Sequence, residues 1–144
     1  MTELVLPNDT NRLGNLLGGR LMHWIDIVGA IAASRHSNKL CVTASVDDLQ
    51  FHHPVHMGEV VILQASVNRV FRSSMEVGVR VTKENSLTGE REHTNTAYLT
   101  YVAIDAQGKP TQVIPIQPVK QIEKRRYRDA ASRRQIRLKR REQD

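Results

Sequence analysis

The chain has a single cysteine, no long apolar run and no internal repeat, and each absence excludes something. With Cys41 alone, neither an intrachain disulfide nor a Cys-based zinc cluster within one subunit can form, and this position reads as a small buried side chain. The longest strictly apolar run, Ile27 to Ala33 with Gly29 counted in, is far short of the ~20 residues that a membrane helix requires. The opening Met1-Thr2-Glu3-Leu4-Val5-Leu6-Pro7 has neither a basic n-region nor a sustained apolar stretch. No secretory signal is expected, no membrane partner is expected, and the cytoplasm is the default location. At 144 residues and 40% apolar composition there is room for one domain and not for two.

The charge is unevenly placed. Residues 1 to 119 hold 10 Lys/Arg against 11 Asp/Glu, whereas residues 120 to 144 hold 11 against 4. The body is near −1 and the tail near +7, so the basic appendage calls for an explanation separate from that of the core. We divide the chain into a core of residues 1–118 and a basic tail of residues 119–144, the tail being either helical or disordered.

Within the core the hydrophobic period changes along the chain. Leu17, Leu21, Trp24, Ile25, Val28 and Ile31 recur at three- and four-residue steps, which predicts one helix running to about Arg35 with Gly18 and Gly19 in its first turn. Alternation then takes over at Val42, Ala44 and Val46. Val60 to Val70 follows, then Met75, Val77, Val79 and Val81 on a strand expected to be half-exposed, and last His93 to Asp105. A short strand, one long helix and four long strands suggest an α+β arrangement, an antiparallel sheet wrapped around a central helix.

Asp26 is the most informative residue, since a carboxylate in the apolar stretch His23-Trp24-Ile25-Asp26-Ile27-Val28 is costly to bury unless paired, hydrogen-bonded or raised in pKa. Two readings stand on the pattern alone: a general base, or a carboxylate facing solvent or bonded locally to Arg20, His23 or a loop amide. Gly18-Gly19 likewise either exposes helix-terminal N–H groups to a developing oxyanion or merely permits a sharp loop-to-helix turn. No Gly-Lys-Ser/Thr follows the pair, which excludes a P-loop, and the pair is not placed in a βαβ unit as a dinucleotide fingerprint would be. His52, His53 and His56 lack the spacing of a helical zinc pair, and no metal site is assigned.

Asn11, Gly14, Gly18, Gly19, Met22 and Asp26, in the stretch from Asn11-Arg12-Leu13-Gly14 to Trp24-Ile25-Asp26, together resemble the motif of the hotdog-fold acyl-CoA thioesterases. The subgroup is the one that includes the brain-type and bacterial acyl-CoA hydrolases. Further matches are Val42-Thr43-Ala44-Ser45-Val46-Asp47-Asp48-Leu49-Gln50-Phe51-His52-His53-Pro54-Val55, Gly58-Glu59-Val60-Val61 and Arg72-Ser73-Ser74-Met75-Glu76-Val77. The resemblance implies a catalytic carboxylate at Asp26, a catalytic amide at Asn11 and a carbonyl-polarising N–H at Gly19, with Asn11 and Gly19 of one subunit facing Asp26 of the other. It also implies contacts to coenzyme A at Gly18, Arg72, Ser73 and Ser74. Phe71 departs from the family's commoner pattern, which resembles Gly-Arg-Thr-Ser and has a small residue there.

The expected activity is hydrolysis of acyl-CoA to free fatty acid and coenzyme A. No cofactor is required, coenzyme A being part of substrate and product. The expected assembly is a homodimer as the minimal unit and a trimer of dimers beyond it; nucleic acid is not an expected partner. A rival within the fold is a dehydratase or hydratase using His23 with Asp26, though the surrounding residues match the thioesterases instead. A rival from another class is a non-catalytic acyl-CoA binder whose basic tail contacts nucleic acid.

Overall fold

A computed structural model describes residues 1–143. The elements are β1 (Thr2–Leu4), a 3-10 turn (Pro7–Asp9), α1 (Gly18–Ser37), β2 (Leu40–Val46), β3 (Val60–Phe71), β4 (Ser74–Glu84), β5 (Arg91–Ile104) and α2 (Gln121–Gln143). The strands form one antiparallel sheet in the order β1-β3-β4-β5-β2, so β1 and β2 are its edges. The predicted helix and strands are present, and the arrangement is the expected α+β.

The sheet holds α1 on one face through period-2 alternation. Met75, Val77, Val79 and Val81 of β4 and Leu99, Tyr101 and Ala103 of β5 point inward, against Leu21, Trp24, Ile25 and Ala33 of α1. Each large side chain so buried contributes about 1.5–3 kcal/mol. The helix stops at Asn38, which adopts a left-handed conformation (φ 56°) and donates its N–H to the Ser34 carbonyl (2.8 Å). The buried stripe is narrower than the periodicity predicts: Leu17 and Ile31 are exposed and Val28 is only half-buried. Cys41 is also half-buried, its Sγ lying 3.3 Å from Ser37 Oγ where α1 meets β2.

The opposite face of the sheet differs from expectation. A half-exposed β4 would present Glu76 to water, but Glu76 is completely buried because α2 crosses over it. Few apolar groups hold α2 in place: Ala130 is buried, whereas Ile122, Ile136 and Leu138 are exposed. Arginines hold it instead. Arg133 donates to both Glu76 oxygens (2.9 and 2.7 Å), and Arg137 bridges Glu76 (3.3 Å) and Asp47 (2.9 Å). Asn68, at a bulge of β3 on the same face, donates a further hydrogen bond to Glu76 (2.9 Å). The Arg133 guanidinium lies 3.7 Å from the Tyr98 ring centre, and Arg69 lies 3.9 Å from that of Tyr127. Burial alone would lower the pKa of Arg133, but the hydrogen bond and charge of Glu76 outweigh it and hold the guanidinium above its ordinary value. A basic tail therefore becomes a docked helix because the core supplies one buried anion for it.

Removing both cations should expose this dependence. Arg133→Ala with Arg137→Ala leaves Glu76 without a counter-charge and should lower stability by about 3–5 kcal/mol in urea unfolding. Adding Glu76→Leu should restore most of the loss, since an apolar group needs no partner. A loss below about 1 kcal/mol for the double variant would contradict the role given to this cluster.

Candidate active site

Three segments converge near the start of α1. The loop before it is built around Asn11, whose Oδ1 accepts the N–H groups of Leu13 (2.9 Å) and Asn15 (3.1 Å). Asn11 also donates its own N–H to the Asn15 carbonyl (2.9 Å), and Gly14 closes the turn at φ +78°, a conformation that favours glycine. Both backbone donors fix the amide orientation, so Asn11 turns its side-chain NH2 away from the loop and offers donors to whatever lies outside. Asp9 pins the same segment: its carboxylate accepts the Leu6 N–H (3.0 Å) and pairs with Arg20 (3.3 Å).

Gly18 and Gly19 open the helix and have different surroundings. A Cβ on Gly18 would touch the Phe51 ring at 3.4 Å, whereas one on Gly19 would meet nothing within 4 Å. Leu17, Gly19, Arg20 and His23 line an open depression of about 370 Å³. Among the described residues, neither the Gly18 nor the Gly19 N–H meets a backbone acceptor outside the helix. The Gly18 and Gly19 N–H groups, with their partial positive charge, are thus free to receive an electron-rich atom, whereas those of Arg20 and Leu21 bond the Leu17 carbonyl.

Asp26 lies two turns further along the same helix face. Its Oδ1 accepts the hydroxyls of Thr43 (2.7 Å) and Tyr101 (3.0 Å), and Tyr101 also donates to the Asp26 carbonyl (2.9 Å). Among the described residues no cation pairs with Asp26, and no donor reaches its Oδ2. One carboxylate oxygen is held and the other is available. Burial, reinforced by the charge of Asp26, pushes the Tyr101 phenol well above its ordinary pKa, so this hydroxyl donates and does not ionise. The local readings weighed for Asp26, a bond to Arg20, His23 or a loop amide, are not those observed: its partners come from β2 and β5.

The β3–β4 hairpin turn holds Arg72 and Ser73, with Arg72 in the left-handed region (φ 72°). Their carbonyls accept Val113 N–H (2.7 Å) and Ala103 N–H (2.9 Å), respectively. Ser73 and Ser74 line a groove of about 550 Å³ that also takes in Ser45, Phe71, Thr100, Arg134, Arg137 and Arg141. Among the described residues, His52, His53 and His56 form no group that could hold a metal ion; His56 instead meets Asn15 Oδ1 (2.7 Å). The structure thus gathers Asn11, Gly18 and Gly19 at one end of α1, with Asp26 further along the helix. Arg72, Ser73 and Ser74 lie apart at the hairpin.

Thr43 and Tyr101 were not singled out from sequence. Their signal is faint: Tyr101 is a hydroxyl among the inward residues of β5, and Gly29, one turn after Asp26, is a glycine inside an apolar helix. The structure explains Gly29, since a methyl group there would overlap the Tyr101 hydroxyl and crowd the ring. In open space, alanine in a helix interior is favoured over glycine by about 1 kcal/mol, whereas overpacking costs about 1–3 kcal/mol. Because the Tyr101 hydroxyl is tethered to Asp26, overlap should win: Gly29→Ala should destabilise the fold in denaturant titration. A gain in stability would show that Tyr101 is free to move aside.

Comparison with known proteins shows the family. The thioesterase superfamily model matches residues 13–90. An uncharacterized acyl-CoA thioester hydrolase of Bacillus subtilis is 45% identical over 81% of this chain and 68% of its own. Acyl-coenzyme A thioesterase 11 of mouse is 42% identical over 96% of this chain, which spans 23% of that longer protein. Among solved structures, a hexameric acyl-CoA thioesterase superposes with a TM-score of 0.93 at 44% identity, over 97% of this chain and 90% of that one. An acyl-CoA hydrolase of Staphylococcus aureus, solved with butyryl coenzyme A, coenzyme A and coenzyme A disulfide, superposes with a TM-score of 0.93 at 35% identity, over 99% and 87%. By family match, identity and fold, the chain belongs to the thioesterase superfamily.

Proposed function

We propose that the protein is an acyl-CoA thioesterase whose active site joins Asp26 of one subunit to Asn11 and Gly19 of its partner. The observation that carries this reading is the Asp26 carboxylate itself, with one oxygen fixed by Thr43 and Tyr101 and the other met by no donor among the described residues. The free oxygen takes a proton from water, and the resulting hydroxide attacks the thioester carbonyl carbon. The carbonyl π pair moves onto oxygen, where the Gly19 N–H receives the negative charge and the Asn11 amide donates beside it. Collapse re-forms the carbonyl and breaks the C–S bond, and the thiolate takes back the proton held by Asp26. A thiol with pKa near 8.5 leaves without a dedicated acid. No step calls for a cofactor.

Spacing within α1 supports the shared site. Seven residues separate Gly19 from Asp26, about 10 Å along a helix that rises 1.5 Å per residue. One carbonyl group cannot touch both in the same chain, but a two-fold partner can bring its own Gly19 beside Asp26. Ile27 and Ile31 of α1 and Val42 and Val46 of the edge strand β2 are exposed in the single chain, an apolar surface suited to such pairing. Hexameric relatives support the further expectation of a trimer of dimers. Three S. aureus hydrolase structures carry alanine in place of an asparagine, an aspartate and a threonine. The asparagine precedes the aspartate by fifteen positions and the threonine follows it by seventeen, the spacing of Asn11, Asp26 and Thr43 here.

In this reading residues 1–118 are the thioesterase domain and residues 119–144 an addition to it, and the enzyme works in the cytoplasm. Contacts of coenzyme A with Gly18, Arg72, Ser73 and Ser74 belong to the same proposal. Among the described residues no helix is long and apolar enough to cross a membrane. Of the eleven basic residues of the tail, Arg133, Arg137 and Arg140 are paired with carboxylates of the core.

Asp26→Asn keeps the shape and removes the base. It should lower kcat by ~10²–10⁴-fold with a similar KM, measured by free-thiol release from acyl-CoA esters of short to long chain. Near-normal turnover on every ester that the wild type hydrolyses would overturn the assignment.

A further inference from the structure

The groove beside the β3–β4 hairpin is unusual in its charge. Among the described residues, every ionisable side chain that lines it is an arginine and no carboxylate does. Arg137 is neutralised by Asp47 and Glu76, but among the described residues Arg134 and Arg141 meet no carboxylate within ion-pair distance. They stand seven residues apart on α2, two turns along one face. Arg134 is also held in place, its guanidinium 4.4 Å from the centre of the Phe71 ring. Phe71 is the residue by which this hairpin departs from the small residue of the resembled pattern, so the departure supplies a platform for a cation. The same groove is lined by Ser45, Ser73, Ser74 and Thr100, and Thr100 Oγ1 is buried with no hydrogen-bond partner among the described residues. Guanidinium groups with no carboxylate partner among the described residues, in one groove with serine side chains, suit a phosphate-bearing anion, which accepts from both.

We infer that α2 is part of the substrate site: Arg134 and Arg141 hold the phosphate groups at the nucleotide end of coenzyme A, against Ser73 and Ser74. This rests on the acyl-CoA reading above and extends it to a helix that the hairpin motif does not include. Deleting the tail cannot test it, because the deletion also uncovers Glu76. A second cluster on the same helix, Arg125 and Arg126, offers a comparison of equal charge. It lines a different groove of about 350 Å³, one that contains the carboxylate of Asp129.

The test pairs two substrates and two double variants. Butyryl-CoA and S-butyryl-pantetheine share the thioester, but only the first has phosphates. Arg134→Gln with Arg141→Gln should raise KM for butyryl-CoA by about tenfold or more, lower the kcat/KM ratio of butyryl-CoA to S-butyryl-pantetheine in proportion, and do so less at high salt. Arg125→Gln with Arg126→Gln should leave that ratio near the wild-type value. An unchanged ratio in the first variant overturns the proposal, as does an equal fall in both variants, which would mark a diffuse charge effect. Thermal melts confirm that both variants fold. If the wild type hydrolyses neither ester, calorimetric titration with coenzyme A carries the test, and the catalytic reading fails only if no acyl-CoA ester from short to long chain is hydrolysed. Binding by the wild type that the first variant alone weakens supports the groove; binding unaltered by the substitutions, or no binding by the wild type, overturns it.

Discussion

One rigid helix carries two chemically complementary features and keeps them apart. The exposed N–H groups at Gly18-Gly19 and the carboxylate of Asp26 lie on the same face of α1, about 10 Å from each other along its axis. Either alone is incomplete: a positive helix end stabilises an anion but activates nothing, and a carboxylate activates water but repels the oxyanion that results. In the proposed mechanism their separation makes a lone chain a pair of half-sites. The exposed isoleucines on α1 and the open edge at β2 are a second sign that the chain is not the working unit.

The two faces of the sheet divide the remaining tasks through simple alternation. On β5, Tyr101 points to α1 and fixes Asp26, while its neighbour Thr100 points to the α2 side. On β4, Met75 and Val77 belong to the apolar core and Glu76 between them anchors α2. A one-residue slip in register would exchange these roles and leave a carboxylate in the core. Asn68 lies on the α2 side of β3 at the bulge, and its amide donates to Glu76. Holding Asp26 falls to Tyr101 on β5 and docking the basic helix to Glu76 on the neighbouring β4.

Much of this was legible in the sequence, and what was not had physical reasons. The α1 stripe and the alternation of β3 to β5 report directly which side chains face an apolar interior, so element type and order were readable. Asp26 stood out because it interrupts an apolar helix, and Asn11 because of its place in a motif. Thr43 and Tyr101 were hidden because a hydroxyl on a strand has many uses, and its partner is distant: Asp26 is 17 and 75 positions away, respectively. Glu76 was misplaced on the exposed face because alternation shows which face is apolar and not what covers the other. The tail gave a net charge with no apolar period, and only the tertiary structure shows that part of that charge is answered by Glu76, Asp47 and Asp48.

The central claim is that each active site takes Asp26 from one chain and Asn11 from another, and mixing tests it most directly. Asn11→Ala and Asp26→Ala variants, each inactive alone, are unfolded and refolded together, with two distinguishable tags to verify mixing. In a mixed dimer one site collects both lesions and the other is whole. Random pairing makes half the dimers mixed, and half of their sites intact, so about one quarter of wild-type activity should return. Verified full mixing with no activity above that of the separate variants would contradict the shared site, even for a protein that hydrolyses acyl-CoA.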